Sequence, residues 1–92
     1  MGSITGTVQD ADSGDPIDAT VVAIGVDPRS DPVMTETDGA GDYTLSDLPE
    51  GRYQVSAGAG RRYSTDTQTA KVMAGQTVTV LFDLVPKRRP RV

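Results

Sequence analysis

The sequence predicts an all-β domain, a sandwich of seven short strands, and three observations carry that expectation. Apolar and polar residues alternate at period two in segment after segment, as where Tyr43 and Leu45 interleave with Asp42, Thr44 and Ser46. No stretch longer than ten residues shows a helical period. Gly and Pro punctuation returns about every 8 to 12 residues, the rhythm of short strands joined by turns.

Ser3 to Gln9 puts Ile4, Gly6 and Val8 on one face and Thr5, Thr7 and Gln9 on the other, and the turn formers of Asp10 to Pro16 end this first strand. Ala19 to Val26 is apolar on both faces, with Ala19, Val21 and Ala23 on one side and Val22, Ile24 and Val26 on the other. One of those faces is surplus to a two-layer core, which marks a central strand or a contact surface. Asp27 to Pro32 is a polar loop with two prolines, and Val33 to Thr37 is a short third strand stopped by the Asp38-Gly39 turn signal.

The fourth and fifth strands lie on either side of Leu48-Pro49-Glu50-Gly51. Tyr43 and Leu45 face the core from one arm, Tyr53, Val55 and Ala57 from the other, and Leu48 closes the end of the core. Pro49 fixes its own φ while Gly51 allows the reversal. Gly58 to Arg62 connects to a sixth, Thr-rich strand over Tyr63 to Val72, whose alternation is poor. Ala74-Gly75-Gln76 then turns the chain into Thr77 to Leu84, the clearest strand, with Val78, Val80, Phe82 and Leu84 on one face. The expected units are a sandwich over residues 1–86 and a basic, Pro-containing tail or linker over 87–92.

The spaced set Thr37, Asp38, Gly41, Tyr43, Leu45, Leu48, Pro49, Gly51, Tyr53 and Val55, with Ile4-x-Gly6-x-Val8 ahead of it and Gly14 to Val21 between, resembles the carboxypeptidase regulatory-like domain family. The resemblance runs from about Ile4 to Leu84. It implies a seven-stranded Greek-key, transthyretin-like (Ig-like) β-sandwich that accompanies catalytic or surface domains in secreted proteins and has no catalysis of its own. An extracellular or cell-surface location follows from it, with partners among neighbouring domains of the same polypeptide or another surface protein. Hydroxyisourate hydrolases and intradiol dioxygenases have similar sandwiches but depend on histidines, and this chain has none.

Composition narrows the chemistry. Without His or Cys the chain lacks the usual zinc ligands, a thiol nucleophile and the commonest general base, so no enzyme activity and no cofactor are expected. Without Asn it cannot carry N-linked glycan within these residues or the Lys-to-Asn cross-link of some Gram-positive adhesin domains. Residues 1–86 hold five basic residues against thirteen acidic ones, a net of −8 that the four cations Lys87, Arg88, Arg89 and Arg91 reduce to −4. An acidic body is wrong for nucleic acid, and no apolar run reaches the roughly 20 residues of a membrane helix. In isolation the protein is expected to be monomeric, and the sequence reads as one piece of a larger secreted protein.

Three candidate sites remain. Asp10, Asp12 and Asp15 could converge on calcium, but counted from Asp10 a helix-loop-helix calcium site has Gly sixth and an acid twelfth, whereas here Gly14 is fifth and Val21 twelfth, so a solvated turn is the plainer reading. Arg61, Arg62 and Tyr63 combine residue types enriched at interfaces, and Tyr63 is the ring left over for stacking on a sugar once Tyr43 and Tyr53 are assigned to the core. The outer stripe Val22, Ile24 and Val26 is the third, an apolar patch suited to a protein contact. The function expected from all this is that of a spacer, stabiliser or interaction module, with glycan or calcium binding through the loops as the alternative.

Overall fold

The computed structural model describes residues 1–27, 29–60 and 62–86. Arg61 and the basic tail from Lys87 onward, both singled out in the sequence, lie outside the described residues.

Among the described residues there is no helix, and eight strands form two sheets. They are β1 (Gly2–Asp10), β2 (Thr20–Asp27), β3 (Val33–Glu36), β4 (Asp42–Leu48), β5 (Gly51–Gly58), β6 (Asp66–Val72), β7 (Thr77–Thr79) and β8 (Phe82–Leu84). Sheet one runs β4-β1-β7, with β8 also paired to β1; sheet two runs β3-β2-β5-β6. All pairs are antiparallel except those of β1 with β7 and β8, which are parallel.

The alternation read from the sequence fixes which face is buried. Ile4 and Val8 of β1, Val21 and Ala23 of β2, Tyr43 and Leu45 of β4, Val55 of β5, and Phe82 and Leu84 of β8 all lie in one core between the sheets. Ile17, Ala57 and Ala70 join them, whereas Val78, expected in the core, is only half-buried because β7 is the edge of sheet one. Leu48 reaches the core through a bulge. The register of β1 on β4 shifts between Gly2 and Ile4, and opposite that shift Asp47 adopts a left-handed backbone (φ 57°). The extra residue moves Leu48 from the outward to the inward phase, so Leu45 and Leu48 are both buried.

Two expected strands differ in extent. Sequence alternation extends the sixth from Tyr63, but β6 starts at Asp66, because Ser64 donates its N–H to the Val85 carbonyl and Tyr63 makes a lone bridge to Pro86. The last strand, continuous from Thr77 to Leu84 by alternation, is broken at Val80 and Leu81. Its register on β1 is the same on both sides of the break, Ser3 opposite Thr77 and Val8 opposite Phe82. At the break the Tyr43 hydroxyl donates to the Val80 carbonyl (2.6 Å) while the Val80 N–H still reaches the Thr5 carbonyl (2.8 Å). The strand is thus interrupted by a carbonyl drawn inward onto a buried phenol.

That phenol gives a testable signature. Burial pushes the Tyr43 hydroxyl up from its ordinary 10 to about 12. A raised folded-state value means stability is intact below pH 10 and declines as pH rises through 12, by roughly 1.4 kcal/mol per unit across that window. Tyr43→Phe should cost about 1–3 kcal/mol at neutral pH, since it leaves the Val80 carbonyl without its donor. It should also flatten the alkaline decline, and urea unfolding of both proteins at pH 7 and through the alkaline range measures both effects.

Candidate functional sites

The loop after β1 is held by its first residue. Asp10 accepts the Asp12 N–H (2.7 Å) and the Ser13 N–H (3.0 Å) on Oδ1, and the Gly14 N–H reaches the Asp10 carbonyl (2.8 Å). This is the local side-chain-to-backbone bonding that makes Asp a turn residue. The second carboxylate oxygen accepts the Tyr63 hydroxyl at 2.8 Å. Two candidates that the sequence set far apart, the Asp-rich loop and Tyr63, are therefore one cluster, 53 positions apart in the chain.

The arrangement sets the charges. The Ser13 N–H first, then the Tyr63 hydroxyl and the Asp12 N–H, hold the Asp10 carboxyl below its ordinary 3.8 against an opposing desolvation. The hydrogen bond to Asp10, and after it desolvation, holds the Tyr63 hydroxyl above 10, with Arg62 pulling the other way. With its carboxyl depressed, Asp10 contributes stability that is complete above pH 3.8 and is lost as pH falls through the folded-state value. Asp10→Asn should remove that acid dependence and let Tyr63 ionise at lower pH, which a phenolate absorbance titration detects. An unchanged Tyr63 titration would show that the contact is not formed in solution.

Both Asp10 oxygens are occupied within the chain, and among the described residues no three His, Cys, Asp or Glu side chains are placed to hold a metal ion. Asp12 and Asp15 do not come together with Asp10 as a ligand set. Tyr63 is half-buried and packs against the core, while Arg62 beside it is exposed.

A second polar knot closes the passage from β3 to β4. Thr37 Oγ1 accepts the Ala19 N–H and donates to the Ile17 carbonyl, each at 2.8 Å, tying the end of β3 to the segment before β2. Asp38 Oδ1 accepts the Ala40 and Asp42 N–H groups (2.9 and 3.0 Å), shaping the turn. Gly41 is there at φ 77° with its carbonyl on the Val8 N–H, and a Cβ would sit 2.7 Å from the Val8 carbonyl oxygen, so the turn admits only Gly. Beside this knot lies an open, polar cleft of about 450 Å³ lined by Asp18, Thr20, Glu36, Thr37, Gly58 and Gly60. No sequence motif joins these residues; only the pairing of β2 with β3 and β5 brings them together.

The outer face of sheet two carries the apolar stripe. Val22 is half-buried, Ile24 and Val26 are 41% and 42% exposed, and among the described residues no third sheet packs on this face. Met34 of β3, 66% exposed and directly opposite Val22, extends the stripe to the sheet edge. On the other side Ser56 and Gln54 face Val22 and Ile24 and end it with polar groups. Met34 was missed because β3 has too few residues to show an outward face by alternation.

Comparison with known proteins agrees with this architecture. A search of curated proteins by sequence gave no match. Among solved structures, the Bacillus anthracis TIE protein superposes with a TM-score of 0.76 at 19% identity, over 92% of this chain but 17% of that one. Klebsiella pneumoniae 5-hydroxyisourate hydrolase superposes at 0.73 with 20% identity, covering 96% of this chain and 93% of the hydrolase. A Bacteroides uniformis protein described as carbohydrate-binding gives 0.68 at 15% identity, over 92% of this chain and 41% of its own. At such identities the likeness is one of fold, a transthyretin-like sandwich. The sequence profile of the carboxypeptidase regulatory-like domain, in contrast, matches residues 3–85. From β1 through the end of β8, therefore, this chain belongs to the carboxypeptidase regulatory-like domain family.

Proposed function

We propose that this domain is a non-catalytic accessory module of a larger secreted or cell-surface protein, serving as spacer, stabiliser or contact surface for neighbouring domains. The observation that carries the reading is the use made of the polar side chains at the candidate sites. Asp10, Thr37, Asp38 and Tyr63 bond to the chain itself and hold its loops. Similarity to a hydrolase is one of fold, and this chain has neither His nor Cys to supply a general base or thiol nucleophile. The stripe of Val22, Ile24, Val26 and Met34 is the surface offered to a neighbouring domain.

The alternative is a ligand-binding module. Likeness to the Bacteroides uniformis protein favours a glycan, and the Asp18 and Glu36 cleft is the concave surface available for one. Stacking argues the other way, since the chain has no Trp, Tyr43 and Tyr53 are buried, and Tyr63 is half-buried with its hydroxyl committed to Asp10. Thermal unfolding of the protein with and without millimolar calcium and a glycan panel separates the two. A ligand that binds only the folded state raises the unfolding temperature with its concentration. No shift is expected, and a dose-dependent shift would overturn the accessory reading in favour of binding.

A further inference from the structure

The path of the chain through sheet one has a mechanical consequence. β1 and the strand pair β7–β8 are the first and last of the described strands, yet they are hydrogen-bonded neighbours, and they run parallel. Because Ser3 lies opposite Thr77 and Asp10 opposite Leu84, the chain enters sheet one at one end of this ladder and leaves at the other. The eight residues from Ser3 to Asp10 place those ends about 23 Å apart. Pulling on the two ends would drag β1 and β8 past each other along their own axes. Every bond of the ladder is then loaded at once, instead of one after another.

The ladder is reinforced where such a load falls. Beyond the paired residues, backbone bonds join Ser3 N–H to the Gln76 carbonyl (3.0 Å), Val80 N–H to Thr5 (2.8 Å) and Ala11 N–H to Leu84 (2.9 Å). Two side-chain bridges cross the same seam, Gln9 Nε2 to Asp83 Oδ1 at 2.7 Å and Ser3 Oγ to Thr77 Oγ1 at 3.2 Å. The Tyr43 hydroxyl pins the Val80 carbonyl midway, and β4 holds the far side of β1. The exit is anchored in turn by the Ser64 N–H on the Val85 carbonyl and the bridge of Pro86 to Tyr63. Sheet two lies outside the load path, since its four strands comprise residues 20–72.

We propose that this domain is a tensile element, in which force along the polypeptide enters through β1, leaves through β8, and is resisted in shear by the parallel ladder between them. This rests on the accessory reading above, because load reaches the ladder only when attachments lie on both sides. It makes the domain a spacer that keeps its length under tension without any covalent cross-link.

Direction is the test. The chain contains no Cys, so one introduced at Gln76 gives a unique handle beside the start of β1. Single-molecule pulling between the N-terminus and Gln76→Cys unzips β1 from β7 bond by bond, while pulling between the two termini shears the ladder. The same fold is measured both ways. Ala74→Cys, in the same exposed turn, is a second handle should Gln76→Cys shift the unfolding temperature. Terminal pulling should need about twofold more force or greater, since forced rupture follows the unfolding rate along the loaded path. Equal forces, or a lower force for terminal pulling, would overturn the tensile role whatever the ligand assay gives. A thermal shift with ligand alongside strong directionality would instead remove the accessory reading and leave the ladder's resistance intact.

Discussion

Gly6→Ala is expected to destabilise the domain by about 3 kcal/mol or more, the upper end of the cost of overpacking a filled site. A Cβ at Gly6 would be driven into the Val80 carbonyl, with the carbonyl carbon at 2.7 Å and the Tyr43 hydroxyl at 2.9 Å. The carbonyl cannot swing away without giving up the phenol, and the phenol is fixed by burial of its ring. β1 cannot retreat either, because β4 pairs with it on the other side. The comparison is Gly39→Ala in the β3–β4 turn, where an added Cβ meets nothing within 4 Å. Urea unfolding of the two variants should differ by most of the Gly6 cost. Equal stabilities would mean that the Val80 carbonyl yields freely and that the break between β7 and β8 is loose.

Phe82→Ala should cost about 3–5 kcal/mol, a large share of the 5–15 kcal/mol that holds an ordinary domain together. Phe82 is the largest of the fully buried side chains, and its ring lies 6.2 Å from that of Tyr43, tilted by 47°. Truncation removes the ring's own burial and leaves a hole flanked by a phenol whose hydroxyl is committed elsewhere, so collapse around the hole is limited. Leu81 next to it is 58% exposed, and Leu81→Ala should move stability by no more than about 0.5 kcal/mol. Denaturant midpoints of the pair report the difference. A small effect at Phe82 would show that the strand after the break contributes little to the core.

These two sites also show where sequence reading succeeds and where it stops. Phe82 was legible because Val80, Phe82 and Leu84 keep period two, and the buried face of a strand follows from that alone. The break at Val80 was not, since it arises from a bond to Tyr43, 37 positions away. The β4 bulge is similar: Asp47 reads as an ordinary polar residue, and only the register on β1 reveals the extra residue that turns Leu48 inward. Among the candidate sites, the stripe of Val22, Ile24 and Val26 was visible because a strand apolar on both faces has one face too many. The joining of Asp10 to Tyr63, and of Asp18 to Glu36 around the cleft, depends on which strands become neighbours. Local patterning carries no record of that choice.

The pairing of first strand with last also governs how the protein is made. Sheet two is assembled from residues 20–72 through two hairpin-like pairs and one longer link, and all of its strands are available before the chain is finished. Of the sheet-one strands β1 is synthesised ahead of its partners, and although β4 is made midway, the other edge of β1 has no partner until β7 and β8 follow, 74 positions later. Synthesis at about 5–20 residues per second leaves that edge open for several seconds, with Ile4 and Val8 incompletely covered. Until then β1 is the strand most exposed to mispairing, and completion of β8 is the step at which its open edge is covered and the nascent domain becomes safe from its neighbours.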